Sequence, residues 1–250
     1  MLQAVSGDRR WLKRFGPRDS PGEVQLLCLH HAGGSAAAYR RWSQLLPPAI
    51  EPIAVQLPGR ADRFYELPYT RMTPLVDDLV EVIEPLLGRP YACYGASMGS
   101  RVIWTLAHAL RDRGLPMPVQ LYTACDPAPV YDTGTWLWEG RSDGLEGYLR
   151  EMGGTPPEVL ADRTLLAALL PTLDADLTVL STSDFAPATP LDVPIRAFVG
   201  TEDSQASPRQ AAGWRQETSA RFDLDVVPGG HFFDADGERQ VTRTITRDLA

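Results

Sequence analysis

The chain has 250 residues, of which 44% are hydrophobic and 22% charged, a composition that allows one domain to bury a full core. Its net charge of −8 argues against nucleic acid or an anionic membrane as the main partner, because both require a basic surface. No apolar run approaches the roughly 20 residues that span a bilayer. The three cysteines lie in or at the end of apolar segments, and an odd number there indicates buried free thiols in a reducing compartment. We therefore expect a cytoplasmic protein, and we expect it to be a monomer.

Strand-like and helix-like segments alternate along most of the chain. Residues 1–22 are polar and predict an arm that leads into the domain. Residues 24–29 (VQLLCL) are almost unbroken apolar, which is typical of a parallel strand covered on both faces. Further strands are predicted at 52–56, 91–94, 119–123, 194–199 and 222–227, and helices at 35–46, 73–86, 101–111, 208–219 and after 237. This alternation predicts a mostly parallel, doubly wound α/β sheet in a single domain, residues 1–250.

One segment breaks the alternation. Residues 136–185 contain no clear strand and are predicted to be mostly helical, with Trp136, Trp138 and several leucines as apolar residues. A helical insertion of this length in an α/β fold often covers the active site, so this segment is predicted to form a lid. The alternative for any single residue of the segment is that it adds to the core.

Residues 95–99 (GASMG) match the nucleophile-elbow pattern G-x-S-x-G and lie between a predicted strand and a predicted helix. Side chains at Gly95 and Gly99 would collide with the neighbouring strand and helix in so tight a turn. The turn exposes the hydroxyl of Ser97 at the helix N-terminus. The same pattern also fits a plain turn whose serine caps the next helix, so the partners of the serine decide between the two interpretations.

A reactive serine needs a base within hydrogen-bond reach and an acid that orients the base. Of the four histidines, His231 follows the last predicted strand in a glycine-containing loop, at the end of the sheet where catalytic groups gather. The acid should follow the penultimate strand, where Asp203 is our first choice and Glu202 the second. The chain order serine, acid, histidine is that of α/β-hydrolases, so Ser97, Asp203 and His231 are the predicted catalytic residues.

An oxyanion hole completes such a site. In α/β-hydrolases its donors are the backbone N–H after the nucleophile and an N–H from a glycine-rich loop after an early strand. These positions are Met98 and Ala32, the latter within residues 30–34 (HHAGG). The tandem histidines of that loop also suggest a metal ion. No further histidine or cysteine lies at ligand spacing, however, so we expect no metal.

Several segments together form a recognisable pattern: 29–35 (LHHAGGS), 39–42 (YRRW), 56–60 (QLPGR), 95–99 (GASMG), 152–156 (MGGTP), 170–176 (LPTLDAD) and 228–233 (PGGHFF). With these segments the chain resembles the type II thioesterases, the free-standing editing hydrolases of polyketide and nonribosomal peptide assembly lines, over about residues 10–250. It departs from the family pattern at His30, where proline is usual, and at Ala96, where histidine is usual. The replacement at Ala96 bears on substrate preference.

The resemblance implies an α/β-hydrolase fold with a helical lid. It also implies a substrate that the residues alone do not reveal, an acyl group on the phosphopantetheine thiol of an acyl or peptidyl carrier protein. The pantetheine arm belongs to the substrate, so no cofactor of the enzyme's own is expected. Two alternatives stay open: an esterase or acyltransferase that uses the same triad on oxygen esters or acyl-CoA, and a non-catalytic binding protein of the same fold.

Overall fold

The computed structural model describes residues 8–16, 21–131, 141–183, 185 and 188–250. Within this part of the chain, seven strands form one sheet in the order β1-β3-β2-β4-β5-β6-β7. All neighbouring strands are parallel except β1 and β3, so the predicted mostly parallel, doubly wound sheet is confirmed. The strands are β1 Leu12–Lys13, β2 Val24–Leu29, β3 Ile50–Val55, β4 Tyr91–Ala96, β5 Leu121–Ala124, β6 Ile195–Gly200 and β7 Phe222–Val227.

Helices cover both faces of the sheet. Alternate residues of β2 contribute to two separate apolar clusters: Leu27 lies with residues of the third and fourth helices, and Leu26 with residues of the last helix. This explains why β2 is apolar at successive positions rather than at every second one. The α-helices are α1 Asp8–Trp11, α2 Trp42–Leu45, α3 Met72–Ile83, α4 Met98–Asp112, α5 Gly144–Met152, α6 Pro157–Ala161, α7 Arg163–Ser181, α8 Pro208–Ala211 and α9 Ala235–Asp248.

Two predicted helices are shorter than expected. The segment 35–46 forms a 3₁₀ turn, Ala36–Tyr39, followed by the single-turn helix α2. The segment 208–219 forms α8 and then a 3₁₀ stretch, Ala212–Glu217. Gly213 in this stretch lies so close to Tyr131 and Ala128 that a Cβ would collide with both, so packing sets the backbone path there rather than helix propensity.

The candidate site lies at β2, where successive strands of the chain are added to opposite sides of the sheet. The chain runs from β2 to β3 on one side and then crosses to β4 on the other side of β2. In open α/β sheets, ligands bind at the carboxyl ends of the two strands that flank such a switch point. The segments that follow β2 and β4 are residues 30–34 and the elbow serine Ser97.

Between β5 and β6 the described residues 141–183 contain the three helices α5, α6 and α7. Trp136 and Trp138 of the predicted lid, and residues 1–7 and 17–20 of the predicted arm, lie outside the described residues. Helix α7 has the length and mean hydropathy of a membrane-spanning helix, which the sequence analysis did not anticipate. Leu173 and Leu177 of this helix are nevertheless buried, and its Asp176 pairs with a buried arginine, so α7 is packed into the folded domain.

Candidate active site

Ser97 occupies the tip of the elbow between β4 and α4. Its φ of +50° and ψ of −118° are unusual for a residue with a side chain, and its N–H donates to Ala124 O at 2.7 Å. A Cβ on Gly95 would overlap the backbone of Gly99, and a Cβ on Gly99 would overlap the carbonyl of Leu29. Both glycines are therefore required by the close approach of strand, turn and helix, as the motif predicted.

His231 lies in the loop after β7 and faces the loop after β6. Its Nδ1 donates to Asp203 Oδ1 at 3.1 Å, and the side chains of both residues are buried. The same carboxylate oxygen accepts from the N–H groups of Gln205 and Ala206 at 2.8 and 3.1 Å. Glu202, the second choice for the acid, is exposed and forms no side-chain hydrogen bond with the described residues.

These contacts determine the charge on the acid. Burial raises the pKa of Asp203, but the hydrogen bond and charge of His231 and the N–H groups of Gln205 and Ala206 outweigh burial and hold the pKa below its usual value. The carboxyl group is consequently ionised at neutral pH. An ionised acceptor on Nδ1 fixes the His231 ring in the tautomer whose Nε2 can accept a proton.

The predicted oxyanion loop is a tight turn at the end of β2. The N–H of Gly34 donates to His31 O at 3.0 Å, and Gly33 has a φ of +72°, which a residue with a Cβ adopts at a cost. Within the described residues, neither the N–H of Ala32 in this turn nor that of Met98 at the start of α4 donates to a protein acceptor. Both N–H groups thus have no protein acceptor there, and Met98 adds the positive end of the α4 dipole.

Two side chains from distant parts of the sequence form hydrogen bonds with the backbone of this turn. Asp176 of α7 accepts from the N–H of Gly33 at 2.8 Å, and Arg60 donates to Gly34 O at 3.2 Å. Arg60 and Asp176 also form a buried two-pronged ion pair with N···O distances of 2.5 and 2.7 Å. Both residues lie in segments that match the family motifs, but no role for either was predicted from the sequence.

Ser97 and His231 line one cavity of about 510 Å³. Its opposite wall comes from the three helices of the insertion, with Tyr148 and Met152 on α5, Val159 on α6, and Leu169 and Leu173 on α7. The wall is mostly apolar, so the cavity suits an acyl chain better than a charged group. The insertion therefore supplies part of the wall of the cavity that contains Ser97.

His31 is one of the polar residues that line this cavity. Its ring meets the Phe232 ring edge-on with 4.6 Å between centroids. Burial, assisted by the nearby His231 and Arg60, lowers the pKa of His31 to about 4, so the ring is neutral at physiological pH. In the described part of the chain, no group of three or more His, Cys, Asp or Glu side chains is placed to hold a metal ion.

Comparison with known proteins gives a consistent result. A sequence model of the thioesterase domain matches residues 24–249. The chain is 32% identical over 232 residues to the gramicidin S biosynthesis protein GrsT of Aneurinibacillus migulanus, an alignment that covers 92% of this chain and 91% of that protein.

Solved structures agree with the sequence comparison. The type II thioesterase BorB from the borrelidin biosynthetic cluster superposes with a TM-score of 0.87 at 31% identity, covering 97% of this chain and 99% of BorB. RedJ, a thioesterase from the prodiginine biosynthetic pathway in Streptomyces coelicolor, gives a TM-score of 0.86 at 29% identity, covering 93% and 95%.

Proposed function

Because this chain belongs to the thioesterase family, we propose that it hydrolyses acyl groups from the phosphopantetheine thiol of acyl or peptidyl carrier proteins in polyketide or nonribosomal peptide biosynthesis. The resemblance inferred from the motifs is confirmed by the family match and by the type II thioesterases among its structural neighbours. The chain is a thioester hydrolase, so the interpretation as a non-catalytic binding protein is set aside.

The observation that carries the proposal is the shared cavity of Ser97 and His231, with Asp203 on the far side of the histidine ring. In the proposed reaction His231 takes the proton of the Ser97 hydroxyl as the oxygen attacks the thioester carbonyl carbon. The N–H groups of Ala32 and Met98 stabilise the resulting oxyanion, a contribution of about 3 kcal/mol for one donor.

The second half of the reaction reuses the same groups. Collapse of the tetrahedral intermediate breaks the carbon–sulfur bond, and the proton on His231 passes to the leaving thiol. Water, deprotonated by His231, then attacks the acyl-enzyme ester and releases the free acid and Ser97. Asp203 stays ionised throughout and stabilises the imidazolium that forms in each half. No metal or cofactor of the enzyme's own takes part in this scheme.

The insertion gives the reaction its proposed substrate class. An apolar cavity beside the nucleophile accommodates the acyl chain, and the helices α5–α7 exclude water from it until the substrate is seated. A carrier-bound substrate fits such a site because the flexible pantetheine arm can reach a serine that the carrier protein itself cannot. We further propose that the enzyme acts as a cytoplasmic monomer.

The test uses carrier proteins loaded with acetyl, propionyl and longer acyl groups, with loss of the acyl mass followed by mass spectrometry. We expect hydrolysis by the wild-type protein and none above background by Ser97→Ala. Matched acyl-CoA thioesters and oxygen esters are run beside them. Equal or faster turnover of the oxygen esters or of acyl-CoA would contradict the carrier-protein proposal while leaving the triad intact.

A further inference from the structure

His30, the residue just before the oxyanion turn, has a contact that the mechanism above does not use. Its side chain is buried, and its Nδ1 lies 2.8 Å from the carbonyl oxygen of His31. The same carbonyl also accepts the N–H of Gly34 at 3.0 Å. That carbonyl and the N–H of Ala32 are the two ends of one planar peptide group.

The partner of Nδ1 determines the state of the ring. A carbonyl oxygen can only accept, so the Nδ1 of His30 must carry a hydrogen and donate it. Burial lowers the pKa of His30 well below its usual value, and the neighbouring Arg60 lowers it further, so the ring is neutral. Its Nε2 is buried without a partner among the described residues. In the Nδ1–H tautomer only the lone pair at Nε2 lacks a partner. The Nε2–H tautomer would instead leave a buried N–H unpaired and would place the Nδ1 lone pair against the carbonyl oxygen, which costs more.

The hydrogen bond from His30 acts on the proposed oxyanion donor through the peptide plane. Two donors on one carbonyl oxygen fix the rotation of the His31–Ala32 peptide, and therefore the direction of the Ala32 N–H. They also polarise the peptide, which strengthens its N–H as a donor. Both effects matter most for an oxyanion, because a hydrogen bond to a charge depends strongly on direction.

The backbone of His30 is also tied to the nucleophile. A Cβ on Gly99 would meet the carbonyl oxygens of Leu29 and His30, so the elbow and the end of β2 are in direct backbone contact. Tyr39 donates to Leu29 O at 2.6 Å and fixes the same strand end from the other side. His30 thus follows a strand end that contacts the elbow at Gly99, and it precedes the His31–Ala32 peptide, whose Ala32 lines the cavity.

We propose that His30 is a positioning residue of the oxyanion hole, which holds and polarises the His31–Ala32 peptide through its Nδ1–H. The proposal rests on the proposed function, in which the Ala32 N–H binds the oxyanion. It is a property of this chain, since proline, which is usual at this position in the family pattern, has no side-chain donor.

A pair of substitutions separates the hydrogen bond from bulk packing. His30→Leu removes the donor, whereas His30→Asn keeps an N–H donor near the position of Nδ1. His108→Leu makes the same change at a half-buried histidine on α4 whose ring nitrogens are buried, and controls for general destabilisation. The measurements are kcat and KM for an acyl thioester, and the affinity for an alkyl trifluoromethyl ketone, which adds to Ser97 as a tetrahedral transition-state mimic.

For His30→Leu we expect kcat and the ketone affinity to fall together by roughly tenfold, less than the hundredfold or more lost with a complete oxyanion donor, while KM changes little. His30→Asn should recover most of both losses, and His108→Leu should change neither. Unchanged kcat and ketone affinity in His30→Leu would overturn the proposal, as would equal losses in His30→Asn and His30→Leu at equal thermal stability.

Nitrogen-15 NMR of the histidine rings gives a readout that does not depend on turnover. The proposal requires the neutral Nδ1–H tautomer for His30 and an Ala32 amide resonance that shifts in His30→Leu more than in His30→Asn. An Nε2–H or charged His30 ring would overturn it in an active enzyme. If the wild-type protein neither hydrolyses thioesters nor binds the ketone at Ser97, the proposed function itself is overturned. If the wild type is active and the His30 substitutions have no effect, only the proposal for His30 is overturned.

Discussion

The backbone of Ser97 stores strain that its surroundings maintain. A residue with a side chain in such a conformation costs about 1–3 kcal/mol and persists only where neighbouring contacts overdetermine it. Here the hydroxyl of Ser100 donates to Gly95 O at 2.8 Å, and the N–H of Ser97 is fixed on Ala124. The strain presents the hydroxyl to the cavity instead of letting it cap α4, since no side-chain cap is formed there.

The predicted catalytic acid, Asp203, gives the sharpest test at this scale. Asp203→Asn should lower kcat by about 10⁴-fold, because an amide in this place favours the wrong His231 tautomer and no longer stabilises the imidazolium. Thioester hydrolysis measured under saturating substrate checks this. Glu202→Gln, one residue away and exposed, is the matched control and should stay within about twofold of wild type.

The opposite pattern, a large loss in Glu202→Gln and a small one in Asp203→Asn, would move the assignment of the acid to Glu202. Circular dichroism and melting temperature should be the same for the two variants, so that a difference in kcat reports on chemistry and not on folding.

Some parts of the site follow from local sequence and others do not. Ser97, Asp203 and His231 could be named as candidates from the sequence because each lies in the turn or loop after a strand and the three have a known chain order. The contacts of Arg60 with Asp176, 116 residues apart, have no local signal, because nothing in either segment specifies its partner. The His30 hydrogen bond escaped for a different reason, since it depends on a ring orientation that only the folded turn defines.

At the scale of elements, α7 connects the insertion to both loops of the site. Thr172 donates to Gly59 O at 2.6 Å, and Asp176 joins Arg60 and the Gly33 N–H. Leu173, between them, packs on Gly33. One helix, α7, therefore both lines the cavity and contacts the turn at Gly33, so a shift of α7 would also move the proposed oxyanion hole.

A double replacement separates the stability and the catalytic effect of this ion pair. Asp176→Leu alone should lose about 3–5 kcal/mol of unfolding free energy, because it leaves the Arg60 charge buried and unpaired. Arg60→Met combined with Asp176→Leu should recover most of that loss, since a buried pair can be replaced by apolar residues at little cost. Urea unfolding measures both.

The double variant should nevertheless have a reduced kcat, because the Gly33 N–H and the Gly34 carbonyl have lost their partners. Thr172→Val is the control, as it removes a contact of α7 that does not touch the oxyanion turn. A double variant with full stability and full kcat would show that α7 covers the cavity without positioning the turn.

The elements themselves show which sequence patterns are reliable. Strands such as β3 and β6, buried at every residue, were found because most of their residues are apolar, as expected of parallel strands covered on both faces. The predicted helices 35–46 and 208–219 form shorter helical turns in the structure, and in the second of them Gly213 lies in close contact with Tyr131 and Ala128. The two-residue strand β1 is too short to carry any periodic signal.

The whole molecule combines an acidic surface with histidines that are buried. Burial lowers the pKa of His31 and of His108 to about 4, and it lowers the pKa of His30 as well. The unfolded chain, with ordinary histidine pKa values near 6.5, therefore binds more protons than the folded protein between about pH 6.5 and pH 4. The stabilisation is present in full above pH 6.5 and is lost as the pH falls toward 4.

For His31 and His108 we predict that the free energy of unfolding decreases by about 2 kcal/mol each between pH 7 and pH 5, because the 1.5 pH units between 6.5 and 5 are worth 1.36 kcal/mol per unit. His108 isolates the effect, because its ring packs edge-on against Trp104 with 4.6 Å between centroids and lies outside the cavity. Arg111 lowers and Asp112 raises the pKa of His108, and the lowering by burial is larger than either effect.

The substitution His108→Phe keeps the ring contact with Trp104 and removes the titratable group. Urea unfolding at pH 7 and pH 5 should show a pH dependence smaller by about 2 kcal/mol in His108→Phe than in wild type, and equal pH dependence in the two proteins would show that His108 is not held neutral by burial.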